Sequence, residues 1–287
     1  MVSCDDREMT IAVTGVTGRV GGRVAHALSG QGVPVRLLVR DPRRAPELDG
    51  ATVRVAVYGR DCAPALEGVA TLLMVSGSEN LRRVAEHRAF IDDAAEAGVE
   101  HVVYTSFVGA GPDAAFLLAR DHGDTEEALR ASGMRWTMLR DNIYLDDLAR
   151  WVGEDGAIRG PAGDGRLAGV AIDDVARVAV AALLDPRRHA GRTYELTGPE
   201  ALSLDEVAAT IEQATGRAVR YVRETHEEAI ASRASHGAAE WQVAAWISTY
   251  TAIERGELGV VSGDVERITG QPALDLASVL ARNPLTI

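Results

Sequence analysis

The feature that most constrains the fold is a glycine-rich turn that directly follows a short apolar run near the start of the chain. Residues 10–14 (TIAVT) are apolar or β-branched, and Gly15-Val16-Thr17-Gly18-Arg19-Val20-Gly21 comes immediately after them. The apolar run predicts a buried parallel strand. Apolar residues at helical spacing predict a helix over 18–29. A strand, a glycine turn and a helix in this order indicate the first βα unit of a layered α/β fold.

Each glycine of the turn has its own reason to lack a side chain. Gly15 lets the chain reverse sharply, Gly18 lets the backbone approach a ligand, and Gly21 lets the helix pack close to the sheet. The free N–H groups and the positive dipole at the helix N-terminus favour binding of a pyrophosphate. A glycine-rich βα turn that binds no ligand is the alternative interpretation of the motif. The residues of this segment predicted to bind the ligand are Gly15, Thr17, Gly18, Arg19, Val20 and Gly21.

Apolar strand patterns and helical patterns alternate through the first half of the chain. Strands are predicted over 33–39, 52–57, 71–75, 101–105 and 136–139, with helices over 81–95 and 114–132. This alternation is typical of an α/β protein with a Rossmann-type, doubly wound parallel sheet.

The second half opens with a glycine-rich, polar stretch over 153–169, which predicts a loop and a domain hinge. The patterns beyond it predict a helix over 173–184, a strand over 192–196, a helix that opens with a capping box from Ser203 to Glu206, and a strand over 219–223. The rest of the chain is predicted to be mainly helical. We therefore expect a tail over 1–8, an NAD(P)-binding Rossmann domain over 9–152 and a smaller mixed α/β domain on the substrate side over 153–287.

Composition narrows the class of partner. The net charge of −12 argues against nucleic acid, which binds to basic surfaces. No apolar run approaches the ~18 residues of a membrane span, so no membrane contact is expected. Cys4 and Cys62 cannot build a disulfide framework, and the polar stretch Met1–Glu8 contains no signal-peptide core. These observations favour a cytoplasmic protein with a small-molecule partner, and a homodimer is the default expectation for its assembly.

All 30 basic residues are arginines, and the chain contains no lysine. Lysine chemistry is therefore excluded, including a Schiff base with pyridoxal phosphate, the phosphate-binding lysine of a Walker motif and the Tyr-x-x-x-Lys pair of typical short-chain dehydrogenases. The seven histidines show no metal-ligand spacing, so no metal is predicted.

The end of the second predicted strand indicates which cofactor binds. Arg40 ends that strand, and Arg43 and Arg44 follow closely. An NAD site usually carries Asp or Glu there, whereas a guanidinium suits the 2′-phosphate of NADP. We expect Asp41 to face away and cap the turn before Pro42. NADP (NADPH) is the favoured cofactor and NAD is the alternative; a solvated basic turn without this function is the simpler explanation of the charges.

These motifs resemble the atypical short-chain dehydrogenases/reductases of the NmrA-like group, in particular their bacterial quinone-reducing members. The resemblance lies in segments that span nearly the whole chain: 12–21, 38–42 (LVRDP), 73–76 (LMVS), 104–106 (YTS), 122–126, 194–198 (YELTG) and 264–270. It implies that NADPH binds in the first domain and that the substrate lies between the two domains. Val57 departs from the pattern, because relatives often carry an acid near the adenine there. The group includes both reductases and inactive cofactor sensors.

The ends of the fourth and fifth strands line the ligand cleft of a doubly wound fold. The residues predicted to flank the nicotinamide and its ribose are Val75, Ser76, Gly77, Thr105, Ser106 and Phe107. Ser106 is also a candidate catalytic residue whose hydroxyl bonds a substrate oxygen, and a cap of a helix or turn is an equally good explanation.

His122 and Glu126 lie four residues apart on one face of a predicted helix. His122 is a candidate catalytic residue that donates a proton or polarises a carbonyl, with a surface i,i+4 pair as the alternative. The candidates for substrate contact are Phe107, His122, Asn142, Tyr144 and Trp241. Helix capping is the alternative for Asn142, and core packing is the alternative for Trp241.

The residues and the resemblance together predict NAD(P)H-dependent reduction of a quinone or related aromatic carbonyl substrate by hydride transfer. Such a reaction needs little acid catalysis, because aromaticity stabilises the reduced product, so positioning of the rings is the main requirement. Two alternatives stay open. One is a monooxygenase-type tailoring enzyme, in which a reduced aromatic natural product reacts with dioxygen, and the other is a non-catalytic NADP-binding redox sensor.

Overall fold

The computed structural model describes residues 10–233 and 237–282. In chain order, its first half contains β1 (Thr10–Val13), α1 (Arg19–Gly30), β2 (Val35–Val39), β3 (Ala51–Val55), α2 (Ala63–Leu66), β4 (Val69–Met74), α3 (Arg83–Glu96), β5 (His101–Phe107), α4 (Leu117–Ala131), β6 (Arg135–Asp141) and α5 (Leu145–Leu148). The second half contains β7 (Ala157–Gly160), β8 (Arg166–Leu167), α6 (Ile172–Leu184), α7 (Pro186–His189), β9 (Arg192–Leu196), β10 (Leu202–Ser203), α8 (Leu204–Thr215), β11 (Arg220–Arg223), α9 (His226–Arg233), α10 (Glu240–Glu254), α11 (Asp264–Thr269) and α12 (Leu276–Arg282).

Seven strands form the central sheet in the order β3-β2-β1-β4-β5-β6-β9. The pairs β1–β2, β2–β3, β1–β4 and β4–β5 are parallel. The strand order reverses at β1, since β2 lies on one side of it and β4 on the other. Ligands of open α/β sheets bind at such a switch point, beside the carboxyl ends of the strands. The predicted Rossmann-type fold is confirmed.

Burial along the strands explains why these segments form the sheet. All seven residues of β5 are buried, as expected for a parallel strand that is covered on both faces. Side chains of α3 and α4, among them Phe90, Ile91 and Leu129, pack with Met74 and Tyr104 in one core cluster. β3 differs, because it lies at the edge of the sheet and exposes several of its residues.

Contacts within the chain divide it into two units. The first unit comprises residues 10–106 together with Asp124–Leu139 and Ala176–Tyr194. The second comprises Phe107–Gly123, Arg140–Val175 and the described residues from Glu195 to Arg282. Because most of α6 and part of β9 return to the first unit, the two units are interleaved along the chain. The predicted boundary between residues 152 and 153 concerns separable folding domains, and it stays a prediction.

The second unit contains two small sheets. β8 pairs with β10 in antiparallel orientation, and β7 pairs with β11 in parallel orientation. The prediction of an uninterrupted loop over 153–169 is therefore wrong. β7 and β8 have only four and two residues, and their partners lie far along the chain, so the local pattern carries little signal.

The capping box predicted for α8 is present. The Ser203 hydroxyl accepts from the N–H of Glu206 at 3.2 Å, and the Glu206 carboxylate accepts from the N–H of Ser203 at 2.8 Å. Both bonds satisfy N–H groups that the helix itself leaves unpaired, which fixes the start of α8.

Candidate functional site

The glycine turn predicted to bind phosphates connects β1 with α1. Gly15 has a φ of +64°, a left-handed conformation in which a Cβ is unfavourable. The N–H of Gly18 donates to the Gly15 carbonyl at 2.8 Å, which closes the turn. A Cβ on Gly21 would lie 2.5 Å from the carbonyl oxygens of Gly15 and Thr14. Backbone conformation therefore requires glycine at position 15, and helix packing requires it at position 21.

The N-terminus of α1 is open. Gly18 is its N-cap residue, no side chain caps it, and its first turn contains no acidic residue. Gly15, Thr17, Gly18 and Arg19 are exposed, whereas Val20 is buried and anchors the helix. Uncapped N–H groups at the positive end of a helix suit an anion. The turn and the helix together fit the linked phosphates of a dinucleotide.

The charged residues of the turn after β2 differ in their bonding partners. Asp41 accepts hydrogen bonds from the N–H of Arg43 at 3.1 Å and from its guanidinium at 3.0 and 2.9 Å. These bonds, more than the nearby Arg44, hold the pKa of Asp41 below its usual value. Asp41 therefore caps the turn before Pro42, as predicted, and engages Arg43. Arg40 is exposed and forms no hydrogen bond or ion pair with any residue in the part of the chain that the structure describes.

The segment after β4 lies against the glycine turn. A Cβ on Gly15 would be 3.0 Å from the Cβ of Val75. The N–H of Val75 donates to the Thr14 hydroxyl at 2.8 Å, and the N–H of Ser76 donates to the Thr105 hydroxyl at 2.8 Å. The structure thus brings three residues predicted to surround the cofactor, Val75, Ser76 and Thr105, to one edge of the sheet. Their contact with a cofactor stays a prediction.

Ser106 lies buried in β5 and bonds to a buried carboxylate. Its hydroxyl donates to Oε1 of Glu126 at 2.6 Å, and Oε2 of Glu126 accepts from the Arg130 guanidinium at 2.8 Å. A buried carboxylate requires such partners. Because a hydroxyl carries one proton, Ser106 cannot donate to Glu126 and to a substrate oxygen at the same time. This geometry favours an anchoring role for Ser106, and its catalytic role stays a prediction.

His122 and its aromatic neighbours belong to the second unit. The ring centroids of His122 and Phe107 lie 6.1 Å apart, and those of Phe107 and Phe116 lie 4.8 Å apart. His122 is 6% exposed and Glu126 is fully buried, so the alternative of a surface i,i+4 pair is wrong for these residues. An imidazole beside a phenyl ring has the chemistry of a proton donor, and the catalytic role of His122 stays a prediction.

Asn142 and Tyr144 are both engaged in the second unit. The buried Asn142 amide donates to the Leu258 carbonyl at 3.0 Å and accepts from the N–H of Ile143 at 2.8 Å. The half-buried Tyr144 donates its hydroxyl to a carboxylate oxygen of Asp141. Both ends of the Asn142 amide hold the backbone, which favours a structural role. The predicted substrate contacts of both residues stay predictions.

Trp241 is partly buried near the start of α10. Farther along this helix, the buried ring of Tyr250 lies 5.4 Å from that of Trp151, and a Cβ on Gly160 would come within 2.3 Å of it. α10 therefore contributes Tyr250 to the core of the second unit, as expected for an aromatic residue at helical spacing. The substrate contact of Trp241 stays a prediction.

Residues 10–233 and 237–282 contain neither a metal-binding cluster nor a membrane-spanning helix. No three His, Cys, Asp or Glu side chains in these ranges group so as to hold a metal ion. No helix in the same ranges is long and apolar enough to cross a membrane.

Comparison with known proteins places the chain in a family. The NmrA-like family matches residues 7–256. The chain belongs to the NmrA-like family. This NmrA-like protein is 34% identical to the NAD(P)H azoreductase of Xenophilus azovorans over 274 residues, which cover 93% of this chain and 95% of that protein. It is also 34% identical to quinone oxidoreductase 2 of Escherichia coli over 278 residues, covering 93% of this chain and 96% of that protein.

Solved structures agree with this assignment. The crystal structure of the NADPH-dependent quinone oxidoreductase of Escherichia coli complexed with NADPH has a TM-score of 0.87 to the NmrA-like chain. The two chains are 32% identical, and the likeness covers 95% of this chain and 99% of that one. The resemblance stated from sequence motifs is confirmed.

Sequence reasoning missed two residues of this NmrA-like site, Tyr58 and His87, and it missed the partner of a third, Glu126. Tyr58 and His87 bond the segment after β4, and Glu126 bonds Ser106. A signal existed for Glu126, because it stands three residues before the buried Leu129 on the inner face of α4, where a carboxylate needs a partner. Tyr58 and His87 carry no comparable signal, since each is a single residue outside any motif.

Proposed function

We propose that this chain is an NADPH-dependent oxidoreductase that reduces a quinone or related aromatic carbonyl substrate by hydride transfer. The observation that carries the proposal is the uncapped glycine turn at the N-terminus of α1, whose exposed backbone fits a pyrophosphate. Similarity over nearly the full length to an azoreductase and to a quinone oxidoreductase, each at 34% identity, supports reduction as the reaction.

NADPH is preferred over NADH because of the charges at the end of β2. Arg40 stands where an NAD site usually carries a carboxylate, and Arg43 holds the neighbouring carboxylate of Asp41. The exposed Arg40 guanidinium binds the 2′-phosphate through charge-assisted hydrogen bonds. The NADPH complex of the related Escherichia coli protein supports this preference.

The residues of the chain act chiefly by positioning. Bound NADPH supplies the hydride. The glycine turn binds the pyrophosphate, while the ends of β4 and β5 orient the nicotinamide end. Reduction of a quinone yields an aromatic oxyanion that solvent can protonate, so the buried Ser106 need not give up its proton. His122 is the proposed proton donor for substrates that require one, and Phe107 is the proposed aromatic contact.

Binding and kinetics test the proposal together. Purified protein should bind NADPH saturably and oxidise it when a quinone is added. Arg40→Ala should raise the KM for NADPH about tenfold to a hundredfold and leave the KM for NADH nearly unchanged, because only NADPH carries the 2′-phosphate. Arg187→Ala, which removes an exposed arginine of α7, is the matched control. Equal effects of Arg40→Ala on both cofactors would refute the NADPH assignment, and no binding of either dinucleotide would refute the function.

Oxygen consumption and turnover separate this function from the two alternatives. Simple reduction consumes one NADPH per quinone with no stoichiometric uptake of dioxygen into the product. A tailoring oxygenase would incorporate labelled oxygen into the product. A redox sensor would bind NADPH tightly and oxidise it with no member of a quinone panel.

We also propose that the protein acts in the cytoplasm and as a homodimer, as its composition and size suggest. Light scattering of the purified protein tests the oligomeric state, and fractionation of cells tests the location.

A further inference from the structure

The segment 75–77 is held to an unusual degree by side chains. Five backbone polar groups of these three residues bond to side chains. The Val75 carbonyl accepts from the Tyr58 hydroxyl at 2.7 Å, and the Gly77 carbonyl accepts from Nε of Arg83 at 3.0 Å. The N–H of Gly77 donates to Nε2 of His87 at 2.8 Å. In irregular segments, backbone N–H and C=O groups usually bond to water. Because side chains bond these groups in residues 75–77, the segment has a fixed conformation without a ligand.

His87 is suited to hold Gly77 because its protonation is determined by its partners. Its ring is fully buried, and burial together with the positive charge of Arg83 lowers its pKa to about 3. The ring is therefore neutral, and Nε2 accepts the bond from Gly77. Nδ1 consequently carries the proton and donates to the hydroxyl of Thr125 at 3.0 Å.

The packing around His87 leaves little freedom for this bond to move. The ring lies edge-on to Tyr58 and to Tyr104, with centroids 5.6 and 6.0 Å away. A Cβ on Gly77 would lie 3.1 Å from Nε2 of His87 and 3.2 Å from the ring of Tyr58. The close approach of backbone to ring thus depends on glycine at position 77 and on a ring at position 87.

We propose that His87 is a positioning residue for hydride transfer, which acts through Gly77 on the segment that orients the nicotinamide end of NADPH. The inference rests on the proposed function. His87 belongs to α3 and lies outside the glycine turn, so the pyrophosphate site does not depend on it. Loss of the bond to Gly77 misplaces the reacting ring without removing the main anchor of the cofactor, and small misplacements slow a reaction strongly.

Two substitutions separate the hydrogen bond from the packing. His87→Phe keeps an aromatic ring against Tyr58 and Tyr104 but has no acceptor for Gly77. His87→Gln loses the ring but offers an amide oxygen near the place of Nε2 and an N–H for Thr125. His101→Gln is the matched control, because it changes another fully buried histidine of the first unit whose side-chain bond goes to Thr137 in β6.

The assay is single-turnover oxidation of NADPH by benzoquinone, with the NADPH dissociation constant measured by fluorescence in parallel. We expect His87→Phe to slow hydride transfer about tenfold and to change the dissociation constant less than threefold, since one partly buried N–H loses its partner. His87→Gln should recover most of the rate, and His101→Gln should match the wild type. Amide exchange at Gly77 should quicken in His87→Phe alone.

The possible failures are distinguishable. If the wild type binds no dinucleotide, the proposed function and this inference both fall. If the wild type binds and oxidises NADPH while His87→Phe reacts at the same rate, only the positioning role falls. An equal loss of rate in His87→Phe and His87→Gln would also overturn it, because the hydrogen bond would then not be the cause.

Discussion

His101 makes the stability of this protein depend on pH in a way that one substitution can isolate. Its ring is fully buried in β5, and Nε2 lies 2.8 Å from the Thr137 hydroxyl, which donates to the His189 carbonyl at 2.8 Å. The Thr137 oxygen therefore accepts the proton of Nε2. No acceptor in the described part of the chain lies within hydrogen-bond distance of Nδ1, so a second proton there would be buried without a partner. Burial, together with Arg135 and His189, lowers the pKa of His101 to about 4.

The magnitude follows from the difference between the two states. An unfolded histidine has a pKa of about 6.5, so the unfolded chain binds a proton at His101 before the folded chain does as the pH falls. The stabilisation is present above pH 6.5 and is lost progressively toward pH 4. Between pH 7 and pH 5, the free energy of unfolding should fall by about 2 kcal/mol because of His101 alone.

Urea denaturation at pH 7 and pH 5 measures this contribution. We expect the wild type to lose about 2 kcal/mol more than His101→Gln between the two pH values, whatever the stability of the variant at pH 7. His26→Gln, which replaces an exposed histidine of α1, is the control for substituting a histidine that is not buried. Equal losses in the wild type and in His101→Gln would refute the reasoning. An NMR titration of the His101 ring gives a second test, since its signal should not shift between pH 7 and pH 5.

Two further predictions concern the site. Gly21→Ala should weaken NADPH binding more than tenfold and lower the free energy of unfolding by about 1–3 kcal/mol, because its Cβ would force α1 away from the glycine turn. Gly30→Ala is the control, because a Cβ there meets no atom within 4 Å. Isothermal titration and urea denaturation measure both variants, and equal effects of the two substitutions would contradict the prediction. Glu126→Leu should lower the free energy of unfolding by about 3 kcal/mol, because the Ser106 hydroxyl loses its acceptor. Glu126→Gln should lower the free energy of unfolding by clearly less, because its amide oxygen can still accept from Ser106. Urea denaturation of both variants checks this, and equal stabilities would contradict it.

The strands and helices in the first half of the chain could be predicted because each is indicated by the pattern of its own residues. A buried parallel strand is a continuous apolar run, and the pattern gives the places of β1, β2 and β4 to within two residues. β5 extends two residues beyond its predicted end, to Phe107, and the polar Ser106 in this extension is buried with its hydroxyl bonded to Glu126. β7 and β8 could not be predicted, since such short strands exist only through partners that are distant in the chain.

The residues of the candidate site also differ in whether their roles follow from neighbours in the sequence. The reasons for Gly15 and Gly21 could be derived from the spacing of the motif, and the geometry of both residues agrees with them. The capping role of Asp41 could also be predicted, because it involves neighbours in the sequence. The contacts of Glu126 with Ser106 and of His87 with Gly77 depend on how α3 and α4 pack against the sheet, which no local pattern encodes.

Adjacent residues of α4 connect the ends of two strands. Thr125 bonds His87, which holds Gly77 beyond β4, and Glu126 bonds Ser106 in β5. Since both contacts are buried, neither is weakened by competition with water, and a shift of α4 would disturb both strand ends together. The glycine turn needs no such support, because its shape follows from its own backbone and its packing on β1. On the proposed function, anchoring of the cofactor phosphates would depend on the sequence of one turn, while the placement of the reacting ring would depend on the contacts of α3 and α4 with the ends of β4 and β5.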